Sequence, residues 1–137
     1  MSTTVVLADD HEMVRKAIVG LLHANPDIQI LAQASTFAET LDLVSKLHPD
    51  VVVLDLHMKD EKPVTPAQLK SGLKGTRLLA ISIWNDEETK SLAEAIGVEV
   101  LLDKTKLADE LIPAIHKRAN DRNKQLLPNS LKAGASG

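Results

Sequence analysis

The sequence predicts an α/β domain built on a doubly wound, five-stranded parallel sheet, and three observations carry that prediction. Five short runs rich in aliphatic and β-branched residues are nearly continuous in apolar character, as strands covered on both faces should be. Between them lie stretches whose apolar residues recur every three or four positions, the spacing of one helix face. The two patterns alternate along the 137 residues, which is the arrangement of parallel strands joined by helices on both sides of the sheet. A chain of this length buries roughly two-thirds of its unfolded surface, enough for one core.

The strands are expected at residues 4–8, 28–32, 51–56, 77–82 and 98–102. The first helix should start just after Asp10 and bury Val14, Ile18, Leu21 and Leu22, with Asn25-Pro26-Asp27 ending it. In the second, Thr36 is the N-cap, Glu39 completes a capping box, and Phe37, Leu41, Val44 and Leu47 face inward. His48-Pro49-Asp50 turns the chain into the third strand. Pro63, Pro66, Gly72 and Gly75 leave room for only a short helix around residues 67–73. Trp84-Asn85-Asp86 leads into a helix carrying Leu92, Ala95 and Ile96, which Gly97 stops. The last helix should run over residues 106–122, and Pro113 should bend it or mark a late start. The expected division is a domain at 1–124 and a linker or tail at 125–137.

Composition narrows the function. With no cysteine, disulfides, thiolate chemistry and Cys-based zinc sites are out, and the cytoplasm is the expected compartment. No export signal or membrane-spanning run is seen. The net charge of −3 argues against nucleic-acid binding by this domain. Seven Lys/Arg against three Asp/Glu between Lys104 and Lys132 give a local +4, leaving −7 on residues 1–103. Phe37 and Trp84 are the only aromatic residues, so no base-stacking platform exists.

In an open parallel sheet, ligands bind beyond the carboxyl ends of the strands. Those ends read Asp9-Asp10, Asp55, Ser82 and Asp103-Lys104. Each has a purely structural alternative: Asp10, Asp55 and Ser82 as caps of helices or loops, Lys104 as a solvated lysine. Together they would converge on one rim. Carboxylates there would repel by about 4 kcal/mol per close pair at an effective dielectric near 20, more than one lysine neutralises. A hard divalent cation such as Mg2+ resolves this with oxygen ligands and bridges to phosphate. The chemistry suggested is phosphoryl transfer, because an ionised Asp can attack phosphorus without a base.

Val6-Leu7-Ala8-Asp9-Asp10-His11, Val51-Val52-Val53-Leu54-Asp55-Leu56-His57-Met58, Ala80-Ile81-Ser82 and Leu101-Leu102-Asp103-Lys104 together resemble the receiver domain of bacterial two-component response regulators, over residues 3–124. The resemblance implies a flavodoxin-like fold with strand order 2-1-3-4-5. It implies that Asp55 accepts phosphate from a sensor histidine kinase, and that Mg2+ is held by Asp10 directly, by Asp9 through water, and by Asp55 and the His57 backbone carbonyl. Lys104 would pair with the phosphoryl group, and Ser82 would hydrogen-bond it and move toward it. Such a domain is a switch that catalyses only its own phosphotransfer and dephosphorylation. Its output partner would be a downstream effector domain or protein, or a second copy of the chain. The segments Leu111-Ile112-Pro113-Ala114-Ile115 and Leu126-Leu127-Pro128 resemble receivers that precede a helix-turn-helix DNA-binding domain.

The departures from that pattern are equally specific. Lys59 stands after Met58 where the family has Pro, no Gly follows it before Gly72, and Leu101 replaces the usual switch aromatic. Ile83 and Trp84 follow Ser82 in place of a small residue, so His57, Ile83 and Trp84 are expected to crowd the mouth of the site and prolong the life of the phosphoryl group. His11, His23, His48 and His116 are expected on the surface, without partners at ligand spacing. Two alternatives stay open: a degenerate receiver that binds partners without phosphate, and an aspartate-based phosphohydrolase of the haloacid dehalogenase type. The second wants a carboxylate where His57 stands.

Overall fold

The computed structural model describes residues 2–125. Along them run β1 (Thr3–Ala8), α1 (Glu12–His23), β2 (Ile28–Ala34), α2 (Phe37–Leu47), β3 (Val51–Asp55), α3 (Pro66–Gly72), β4 (Arg77–Ser82), α4 (Glu87–Ile96), β5 (Val100–Asp103) and α5 (Leu107–Gln125). The sheet is parallel throughout, in the expected order 2-1-3-4-5. Successive side chains of a strand point to opposite faces, and that alternation assigns each helix its side. Val5, Leu7, Val51, Val53, Leu79 and Ile81 pack with Ile18 and Leu22 of α1 and Leu107, Leu111 and Ile115 of α5. Val6, Ala8, Val52, Leu54 and Ala80 face Phe37 and Val44 of α2, Leu69 of α3, and Ala93 and Ile96 of α4. Strands β1 and β3, covered on both faces, are almost wholly buried.

Several boundaries differ from expectation. Strand β2 extends to Ala34, and β5 begins at Val100 because Gly97, in the left-handed conformation at φ 90°, and Val98 are both used to close α4 on the Ala93 carbonyl. Ala93, not Ala95, lies on the buried stripe of α4, and Leu47 at the end of α2 is exposed. The Thr36 hydroxyl accepts from the Glu39 N–H at 3.1 Å, but the Glu39 carboxylate turns to the Ser35 hydroxyl at 2.7 Å instead of closing the box. Helix α3 begins at Pro66, capped by a Thr65–Gln68 box, so the proline starts the helix instead of limiting it. At its end a Cβ on Gly72 would meet Leu41 Cδ2 at 2.5 Å, so a larger residue there would have to displace that side chain. Helix α5 passes through Pro113 after the single 3-10 turn Lys104–Lys106. The expected linker, apart from Gln125, lies outside the described residues, as does Leu126-Leu127-Pro128.

The loop that follows β3 lacks the expected Pro and Gly and is fixed by another device. Asp60 accepts from the N–H groups of Phe37 and Ala38 at 2.9 Å each, so its carboxylate sits on the positive end of α2. Met58 is buried beneath the loop. At the opposite end of the strands, Asp50 ties β3 to β1 by accepting from the Thr4 N–H at 2.9 Å and the Thr4 hydroxyl at 3.0 Å. Among the described residues no helix is long and apolar enough to cross a membrane.

Candidate functional site

The carboxyl ends of β1 and β3 deliver the acids. Asp9 follows directly on β1 and is fully buried, Asp55 is the last residue of β3 and 1% exposed, and Asp10 lies in the turn into α1. One carboxylate oxygen from each of Asp9, Asp10 and Asp55, with a ring nitrogen of His11, lie within 4.8 Å of one another. The turn is held by backbone contacts: the His11 N–H donates to Asp9 Oδ1 at 2.8 Å, and Arg15 Nη1 donates to the Asp9 carbonyl at 2.6 Å. Asp10 does not cap α1, whose N-cap is His11 without a side-chain bond. Lys104 reaches into the cluster from the turn after β5, its Nζ 2.8 Å from Asp9 Oδ2 and 3.4 Å from Asp55 Oδ1.

Asp55 is the least relaxed member. Its Oδ1 accepts from the His57 N–H at 3.0 Å and faces Lys104, while its Oδ2 is buried with no hydrogen-bond partner. Burial pushes its carboxyl above the ordinary value, the Asp9 charge adds to this, and the His57 N–H and Lys104 oppose it. Asp103, although beside Lys104 in sequence, belongs elsewhere. Its carboxylate accepts from the Thr105 N–H at 2.8 Å and hydroxyl at 2.7 Å, bonds that lower its pKa and cap the 3-10 turn.

Ser82 stands at the end of β4, 2% exposed, and its hydroxyl is engaged by neighbours other than the acids. The Trp84 N–H donates to Ser82 Oγ at 2.9 Å, and His57 Nε2 lies 3.1 Å away. The rings of His57 and Trp84 meet edge to face with centroids 4.7 Å apart. His57, Ile83 and Trp84 do line the cleft over the acids, but it measures about 570 Å3, and Ile83 and Trp84 are 59% and 52% exposed. They wall one side of the mouth without closing it.

Two histidines expected to be free surface residues have partners. His11 Nδ1 is 2.9 Å from Asp10 Oδ1 and 3.4 Å from Asp9 Oδ1, and His116 Nε2 is 2.8 Å from Asp27. The adjacency of His11 to the acid pair was the available signal for the first. Nothing local announces the second.

The sequence model of the response regulator receiver domain matches residues 5–116. The chain belongs to this family. The receiver is 31% identical over 117 residues to the nitrate/nitrite response regulator protein NarL of Escherichia coli, covering 85% of this chain and 54% of the relative. It is 34% identical over 113 residues to the transcriptional regulatory protein LiaR of Bacillus subtilis, with 81% and 53% covered. It thus spans about half the length of the curated relatives it matches. Among solved structures, the receiver superimposes on a LuxR-family two-component response regulator from Aurantimonas with a TM-score of 0.76 at 23% identity, covering 88% of this chain and 87% of that one. It also superimposes on the non-phosphorylated receiver domain of RcsB from Escherichia coli with a TM-score of 0.77 at 18% identity, covering 88% and 95%. Family membership removes the dehalogenase-type alternative, whose second carboxylate is here His57.

Proposed function

We propose that this receiver accepts a phosphoryl group on Asp55 from the phosphohistidine of a sensor histidine kinase and thereby alters a protein-binding surface. The observation that carries the reading is the buried, unpartnered Oδ2 of Asp55 inside a cluster of acids that one lysine bridges. With Oδ1 held by the His57 N–H and Lys104, Oδ2 is the oxygen left to attack phosphorus. The new P–O bond forms on Oδ2 as the P–N bond of the donor breaks, its electron pair goes to the donor imidazole, and that ring takes a proton from solvent.

The donor set fits a hard divalent cation, since Asp9, Asp10 and Asp55 offer converging oxygens. Asp10 and Asp55 would ligate Mg2+ directly, Asp9 through water, with the His57 backbone carbonyl completing the protein ligands. When bound, the ion neutralises the clustered charge and polarises the phosphoryl oxygens. Lys104, already held by Asp9, would pair with the phosphoryl group, and Ser82 would donate to it. Residues 1–124 would form the switching unit, with 125–137 a linker or tail, and the output partner would be an effector domain or protein of a transcriptional regulator.

The test is intact-mass analysis after incubation with Mg2+ and acetyl phosphate. A phosphate adduct is expected on the wild-type chain and none on Asp55→Asn. Absence of an adduct under both acetyl phosphate and a phosphorylated kinase would favour the degenerate receiver, a reading that Leu101 at the switch position supports.

A further inference from the structure

Ser82 carries one hydroxyl proton and an oxygen that accepts. The Trp84 N–H donates to that oxygen at 2.9 Å and His57 Nε2 lies 3.1 Å from it, a contact in which the hydroxyl donates when the imidazole proton sits on Nδ1. The same Nε2 lies 3.5 Å from the Thr89 hydroxyl in the first turn of α4. The imidazole thus stands between the end of β4 and the start of α4, and its ring supports Trp84. A hydroxyl with one proton cannot donate to this imidazole and to a phosphoryl oxygen together.

We propose that His57, protonated at Nδ1, accepts from the Ser82 hydroxyl through Nε2 and is a positioning residue that holds that hydroxyl in the resting state, so that phosphoryl capture exchanges the Ser82–His57 bond for a Ser82–phosphoryl bond. This rests on the reading of Asp55 as the acceptor. The exchange frees the imidazole from Ser82 and leaves the His57–Trp84 ring pair to rearrange against α4. Leu101, beside Ala80 in the sheet register, has no ring to report a movement of Ser82. His57 and Trp84 are the rings placed beside Ser82, and they stand on the α4 side, where Asp86 and Thr89 close the first turn.

The test uses beryllium fluoride with Mg2+ as the phosphoryl mimic, with affinity measured by calorimetry on the full chain. His57→Phe keeps a ring against Trp84 but deletes the nitrogen, and should bind the mimic about five-fold tighter, the scale of one net hydrogen bond removed from the resting state. His57→Gln, which can still bond Ser82, should return to within about twofold of wild type. In a Ser82→Ala background the His57→Phe gain should vanish, because the competition it relieves no longer exists. No gain in His57→Phe, equal affinity in His57→Gln and His57→Phe, or a gain that survives Ser82→Ala would each overturn the role of His57 while leaving Asp55 as acceptor intact. Wild-type protein that binds no mimic, and forms no acyl phosphate, would instead overturn the reading of Asp55 and the inference with it.

Discussion

Removing the charge of Asp55 should stabilise this protein when divalent cations are absent, and the geometry gives the size of the effect. Asp9 and Asp10 each bring a carboxylate oxygen within 4.8 Å of one on Asp55. At an effective dielectric of 20 each such contact repels by at least ~3.5 kcal/mol, roughly 7 in all. Against this, Lys104 at 3.4 Å attracts Asp55, by ~5 kcal/mol on the same scale. The balance is about 2 kcal/mol against the ionised Asp55 before its desolvation is added. Asp55→Asn keeps an oxygen for the His57 N–H and removes that balance, so unfolding in a chelator at pH 7 and low salt should shift up by roughly 7 °C. The pH dependence fixes the sign. Because the folded pKa of Asp55 is raised, the native state binds a proton between the ordinary value of 3.8 and the raised one where the unfolded chain does not, and stability falls as pH rises through that window. The advantage of Asp55→Asn should therefore be complete above the raised value and shrink as pH falls through it. Thermal unfolding followed by circular dichroism decides it. An Asp55→Asn protein no more stable than wild type at pH 7 in chelator would refute the claim that these carboxylates are held together against repulsion.

Lys104→Met removes the cation that bridges Asp9 and Asp55 and should destabilise by about 3–5 kcal/mol in urea titrations, with part of the loss recovered by adding Asp55→Asn. Asp60→Ala strips a carboxylate from the first turn of α2 and should cost about 1–2 kcal/mol by the same assay, with Asp60→Asn losing less. Because the Trp84 ring walls the cleft without closing it, Trp84→Ala should speed loss of the acyl phosphate by no more than about threefold, followed by intact mass. An acceleration of tenfold would show that the ring does shield the site.

How much of this was legible follows from how far each feature reaches along the chain. The strands and their order of appearance were legible because each is a short apolar run, and Asp9, Asp10, Asp55 and Lys104 because they sit immediately beyond such runs, where the topology of a parallel sheet must gather them. The buried stripe of α4 differs from expectation by one side chain, because Ala93 and Ala95 are equally apolar and only packing chooses between them. Pro66 limits a helix when judged by residue type alone, and only its place in the first turn, behind the Thr65 cap, makes it the start of α3. The features that escaped altogether join distant residues. Asp60 caps a helix that begins 23 residues earlier, and His57 bonds Ser82 across 25 positions. No local spacing encodes such a pair. It exists only after β3 and β4 are paired, with Asp55 beside Ile81 in the register.

Native proteins satisfy nearly all buried polar atoms, so an unsatisfied one calls for a physical reason. Here Asp9 Oδ2 has Lys104, Asp10 Oδ1 has His11 and His116 Nε2 has Asp27. Among the described residues Asp55 Oδ2 is the buried atom left without either a hydrogen bond or an ion pair. The neighbouring strand end shows the reverse condition, since the Ser82 hydroxyl has both a donor and an imidazole. One oxygen is therefore ready to form a bond, while the group beside it must give one up. On the proposed reading a phosphoryl group would satisfy the first and compete for the second, so a single capture event would relieve a cost stored on β3 and break the Ser82–His57 contact, which reaches the first turn of α4 through Thr89. That coupling requires the repulsion around Asp55 and the Ser82–His57 bond to reside in the same resting state, so Asp55→Asn, which relieves only the first, should leave the Trp84 emission spectrum unchanged in the absence of metal. A shift in that spectrum on Asp55→Asn alone would mean that the acid cluster already acts on His57 before any phosphoryl group arrives.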